Sequence, residues 1–208
     1  MTKRETPTGT EPDARPPWVR AWDPMVALVG TDLSDRQIHW GADRIEAGTV
    51  RRFLEPIELG SLIHYDESVA RHHGYDGLVA PSTSLISYSL PPMWSPGEPP
   101  LFSAADGDRD AQPSRSPVEN PDASRIPPVR GFFATDMELD FLRPVIAGER
   151  LGRRGRRLLS CTPKETRVGR GAFCTYESEI VSDRGDVVAR IRNGSYAYEP
   201  HPRHGGAE

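Results

Sequence analysis

The chain is short of most features that assign a protein quickly. It has two cysteines in 208 residues, Cys161 and Cys174, too few for a disulfide framework or a thiolate-rich metal centre. Two free thiols fit a reducing cytoplasm, and a bridge between them requires neighbouring strands to place them face to face. No apolar run approaches the roughly 18 residues a membrane-spanning helix needs. Basic residues are scattered and the net charge is −4, which leaves no arm for a nucleic acid to grip. Zinc-ligand spacing, a phosphate loop and a dinucleotide fingerprint are all missing, so neither a metal nor a cofactor is called for. Residues 1–24 are polar and contain Pro7, Pro12, Pro16 and Pro17. They offer no apolar core for a secretory signal and predict a disordered leader. The expectation is a cytoplasmic protein that meets neither membrane nor nucleic acid.

What is present suits one domain, over residues 25–200 with a tail at 201–208, since about 100–200 residues is an ordinary domain length. Apolar spacing predicts short helices over Ile45–Leu54, stopped by Pro56, and over Asp66–His73, capped by Asp66 and ended by Gly74. A third is expected over Ser82–Leu90, with Ser82 as its cap and Pro91-Pro92 beyond it. Between Ser95 and Pro128 eight prolines interrupt any period, which reads as an insertion, either a lid or a solvated loop. Trp94, Leu101 and Phe102 are candidates to anchor its first part. Beyond it Met137, Leu139 and Phe141 alternate with acids, a strand with one wet face. Leu151–Cys161, Gly171–Ser182 and Val187–Tyr198 predict further strands, the last two joined by the turn Asp183-Arg184-Gly185-Asp186. Antiparallel strands around one helix make an α+β architecture, and the open edges of such a sheet invite a dimer.

The stretch Ile63–Thr83, IHYDESVARHHGYDGLVAPST, carries the densest chemical signal. A histidine precedes one helix and a Gly-Tyr-Asp-Gly turn leads into the next. This order can bring an imidazole close to a helix amino end, where free N–H groups favour developing negative charge. With a second block, LDFLRPVIAGERL at Leu139–Leu151, and a third at Arg167–Phe173, the chain resembles the MaoC-like acyl dehydratases. The likeness is to the single-hotdog FAS1-like or MaoC N-terminal type, and covers roughly residues 38–199. The resemblance implies a hotdog fold, an antiparallel sheet wrapped around a central helix. It also implies (R)-specific hydration of enoyl thioesters, or the reverse dehydration, on acyl groups carried by coenzyme A or an acyl carrier protein.

Active members of that family carry Gly-Asp-x-Asn-Pro-(Leu/Ile)-His. His64 stands at the histidine and Ile63 before it, but Leu59, Ser61 and Leu62 occupy the aspartate, asparagine and proline positions. Glu58 is the adjacent carboxylate that could replace the lost acid, and Glu55 and Asp66 are the others nearby. The resemblance therefore implies His64 and Glu58 as the catalytic pair, and Pro81, Ser82 and Thr83 as the oxyanion and substrate site, acting through the backbone. Arg153, Arg156 and Arg167 are candidates for the phosphates of coenzyme A, because guanidinium geometry suits phosphate. Two alternatives stay open. The missing aspartate suits a non-catalytic hotdog subunit beside an active partner, as homodimer gives way to heterodimer. A hotdog thioesterase is the more distant one, because Ser82, Ser84, Ser87 and Ser89 put no carboxylate on the central helix.

Overall fold

The computed structural model describes residues 14–101 and 125–202. Leader residues 1–13, insertion residues 102–124 with Phe102, and tail residues 203–208 lie outside them.

The leader expectation is corrected over its second half. Helices α1 (Pro17–Arg20) and α2 (Asp23–Val26) occupy it. Proline is tolerated in a first helical turn, where its missing N–H has no partner to lose, and both helices place one there. Trp22 and Met25 are buried against Leu158, Cys161, Cys174 and Tyr176, so these prolines begin helices that a core holds down.

Then come β1 (His39–Arg44), α3 (Ala47–Leu54), α4 (Glu67–His72) and α5 (Leu85–Tyr88). Four long strands follow, β2 (Gly131–Phe141), β3 (Arg150–Thr166), β4 (Gly169–Ser182) and β5 (Val187–Pro200). All pair antiparallel in the order β1-β3-β4-β5-β2, which bears out the α+β reading. Gly185 takes φ +96° in the β4–β5 turn, as the Asp-Arg-Gly-Asp sequence predicts.

Helix α4 follows its sequence closely. The Asp66 carboxylate accepts from the Ser68 and Val69 amides at 2.8 and 3.3 Å, and Gly74 closes the helix with φ +85°. The central helix is shorter than predicted. A 3₁₀ turn at Ser82–Ser84 precedes α5, Pro81 stands at the cap position, and Ser82 makes no side-chain cap. The serines bond back to carbonyls instead, Ser84 to Pro81 at 2.6 Å and Ser89 to Ile86 at 2.9 Å, which competes with helix propagation.

Leu85 of α5 packs with Val50 and Leu54 of α3 on Leu151, Ile180, Val188 and Ile191 of the sheet. The helix lies so close that a Cβ on Gly41 would fall 2.1 Å from the Tyr88 carbonyl oxygen. Gly41→Ala is therefore expected to cost about 1–3 kcal/mol, read as a lowered thermal midpoint.

Two strands depart from expectation. β3 runs past Cys161 through Pro163 to Thr166, while β1 pairs only with its start at Arg150–Arg153. Pro163 thus lies where β1 does not reach, and its missing N–H breaks no ladder on that side. On β2 the alternation holds but the cover does not. Leu139 packs on the core, whereas Met137 and Phe141 are 55% and 45% exposed, because β2 is an edge strand and, of these three, the core covers only Leu139. Cys161 directly opposes Cys174 in the β3–β4 register, and both are buried free thiols. Their mutual hydrogen bond, together with burial, pushes the Cys161 thiol well up.

Candidate active site

Two of the three sequence blocks meet beside His64. The Val79 amide donates to the Ile63 carbonyl at 3.1 Å, and the Ala80 amide to Val145 at 2.8 Å. The Ala147 amide reaches back to Leu78 at 2.8 Å, and Val79 and Ile146 form an antiparallel bridge. The Leu78–Ala80 strip is thereby clamped between the histidine turn and the Arg-Pro-Val-Ile block.

That clamp orients the imidazole. His64 is half-buried, and its Nδ1 donates to the Val79 carbonyl at 2.7 Å. A carbonyl only accepts, so Nδ1 carries the proton and Nε2 of the neutral ring keeps its lone pair. Three residues past Val79 the chain enters the 3₁₀ turn of Ser82–Ser84, where Ser82 and Thr83 are exposed. Among the described residues no hydrogen bond involves the Ser82 or Thr83 amide. One predicted member drops out as a donor here, and the amide before it is also engaged. Pro81 has no N–H, and the Ala80 amide is taken by Val145, which leaves Ser82 and Thr83.

Among the described residues no hydrogen bond or ion pair joins Glu58 to His64. Glu58 ends the turn Glu55–Ile57 with φ +52° and donates its amide to the Glu55 carbonyl at 3.1 Å, and its side chain is exposed and among the described residues forms no hydrogen bond or ion pair. Leu59 beside it is 40% exposed, with Ile57 and Leu62 at 59% and 58%. The position of the missing aspartate is thus an apolar, open loop.

The three arginines do not gather either. Arg153 turns inward, where its guanidinium donates to Ser89 Oγ at 2.9 Å and to the Ile86 carbonyl at 3.1 Å. Burial pulls it below the usual arginine value, and its work is to pin the end of α5 to the sheet. Arg156 lies over the Tyr176 ring, 3.9 Å from its centroid. Arg167 is exposed in the β3–β4 turn, roughly 45 Å of chain from Arg153 at about 3.3 Å per residue. Of two cavities of about 490 and 450 Å³, the first is lined by charged residues including Arg36, Arg154, Arg156 and Glu179, and the second lies between Trp18 and Pro127. Neither is lined by His64.

Sequence reasoning did not find the support of this site. Glu149 has 2% exposure. It accepts from Arg143 at 2.9 and 3.2 Å, from the Ser182 hydroxyl at 2.5 Å and from the Ile146 amide at 2.9 Å. Burial acts to raise this carboxyl, but the Arg143 and Ser182 hydrogen bonds with the Ile146 amide outweigh it and hold it below 4.5. The Gly148-Glu149-Arg150 sequence reads as an ordinary polar turn, and only the register of Ile146 against Val79 reveals its connection to the histidine.

A family model described as FAS1-like, dehydratase domain region, matches residues 32–191. No curated protein matches the chain. Among solved structures it is similar to a chain of the ChsH1-ChsH2 complex from Mycobacterium tuberculosis, with TM-score 0.59 and 20% identity, over 88% of this chain and 96% of that one. It is also similar to the MaoC-like dehydratase from Rhodospirillum rubrum, with TM-score 0.47 and 20% identity, over 81% and 94%. The (R)-hydratase from A. caviae involved in PHA biosynthesis gives 0.46 and 16%, over 79% and 95%. The shared feature is the hotdog fold.

Proposed function

Because the chain belongs to the FAS1-like dehydratase domain family, we propose that it works as an (R)-specific enoyl-thioester hydratase, and in reverse as a 3-hydroxyacyl-thioester dehydratase. The acyl group would be carried by coenzyme A or by the phosphopantetheine of an acyl carrier protein. The observation that carries the reading is the His64 Nδ1–H bond to Val79 at 2.7 Å, which leaves Nε2 as a fixed base near the Ser82–Thr83 turn.

In hydration Nε2 takes a proton from water as the water oxygen bonds to Cβ. The electron pair of the C=C bond moves onto the thioester oxygen as an enolate, which the Ser82 and Thr83 amides would stabilise. Protonation at Cα then restores the carbonyl and returns the imidazole to its neutral form. The water-holding carboxylate of the family is Leu59 here. Glu58, which has no competing partner, or an acid from a second subunit would take that role.

A second reading has its own support. Leu59 and the exposed apolar loop around it suit a hotdog subunit that completes an acyl site beside a catalytic partner. The neighbouring structure is itself a complex of two proteins, ChsH1 and ChsH2. Hydration of a short trans-2-enoyl-CoA, followed by loss of enoyl absorbance, separates the two. Turnover by the chain alone supports the first reading. A folded but inert chain that gains activity only with a second hotdog protein supports the other.

A further inference from the structure

Among the described residues no strand pairs with the outer edge of β2, and we infer that this edge selects a partner whose own edge strand is basic, and disfavours a second copy of this chain. The inference deepens the two-subunit reading above and rests on it for the partner's fold; the charge argument stands on the register alone.

On the outer face of the sheet, charges alternate across four strands. One row runs Arg157, Glu177, Arg192, Glu138 through β3, β4, β5 and β2, and the next runs Arg154, Glu179, Arg190, Asp140. The rows are joined by real contacts. Arg154 meets Glu179 at 2.9 Å and Arg190 meets it at 3.8 Å. Arg192 reaches Glu177 at 2.9 Å, Glu138 at 3.2 Å and Asp140 at 3.3 Å. Both rows end on acids at the open edge, and one guanidinium serves three carboxylates there. The Glu138 and Asp140 side chains are 65% and 45% exposed. The next strand that continues this pattern is a basic one.

A second copy supplies the opposite. Two identical strands pairing about a two-fold axis oppose residues of the same face, because directly opposed side chains share a side of the pleat. β2 pairs regularly over Gly131–Ala134 and, beyond a bulge, over Met137–Phe141, the segment that carries the exposed acids. A two-fold centred on residue 137, 138 or 139 therefore sets Glu138 against Asp136, Glu138 or Asp140 of the other copy. Like charges directly opposed across strands are unfavourable, whereas opposite charges support the pair. The inner face of the same strand, with Met137 and Phe141 half exposed, supplies apolar area for whichever partner the edge admits.

The test uses sedimentation of the full chain, an E138R/D140R variant and their equimolar mixture. At low salt the mixture is expected to pair about tenfold or more tightly than either chain alone. The difference should collapse near 1 M salt, where the screening length is about 3 Å. E138Q/D140N, which keeps the shape of both side chains, should self-associate more strongly than the wild type and serves if the arginine variant does not fold. A wild-type dimer as tight as the mixture and indifferent to salt overturns the inference, as does a neutral variant that pairs no better. Enoyl-CoA hydration is read separately. Charge-selective pairing without hydration by any subunit combination overturns the chemical reading alone, and a tight self-dimer that hydrates overturns the edge inference alone.

Discussion

Glu149→Gln is expected to destabilise the protein by about 3–5 kcal/mol, because it leaves Arg143 without its buried counter-charge. Glutamine keeps the volume, but its amide nitrogen is a donor facing the donors of Arg143, Ser182 and the Ile146 amide, which now converge on the carboxylate. The pH dependence carries a definite sign. The folded carboxyl lies below its ordinary 4.5, so its stabilisation is complete above that value and is lost as pH falls through the lowered one. Urea midpoints of wild type and variant should therefore differ most at neutral pH and draw together on the acid side. Equal midpoints at neutral pH would show that the network contributes nothing.

His64→Ala is expected to lower kcat/KM for enoyl-thioester hydration by roughly 10²–10⁴-fold, the usual worth of a positioned acid–base group. The effect on folding should be small, since the ring is half-buried and its hydrogen bond is to Val79. His64→Gln sharpens the test. Its amide can still donate toward the Val79 carbonyl but supplies no base at the place of Nε2. Equal losses in both variants, at unchanged thermal midpoints, would assign the effect to proton transfer. Wild-type rates in either would remove His64 from the chemistry. The assay is run with whichever subunit combination shows activity.

These two residues mark how far the sequence is legible. His64 stands out because a motif surrounds it, and the cap at Asp66, the turn at Gly185 and the strand alternation of β2 follow from local rules that need no tertiary partner. Glu149 does not stand out, since a carboxylate in a Gly-Glu-Arg turn looks solvated until Ser182 arrives from the end of another strand. The leader misleads in the opposite direction. Its prolines suggest disorder, yet Trp22 and Met25, three residues apart, form one apolar helical face. Arg153 shows the remaining limit. An arginine among arginines reads as a phosphate ligand, while the serine and carbonyl it holds lie more than sixty residues away along the chain.

The great length of β3 and β4 has a consequence of its own. The strands pass through two separate clusters, one with Leu151 and Ile180 beside the central helix, the other with Leu158, Cys174 and Trp22 at the far end. The clusters share backbone but no side chains, so each can open with its own free energy. Local opening of α1 and α2 from the sheet would then let amide hydrogens at that end exchange while the histidine turn stays shut. Faster exchange at Trp22 and Met25 than around His64 is the expected result.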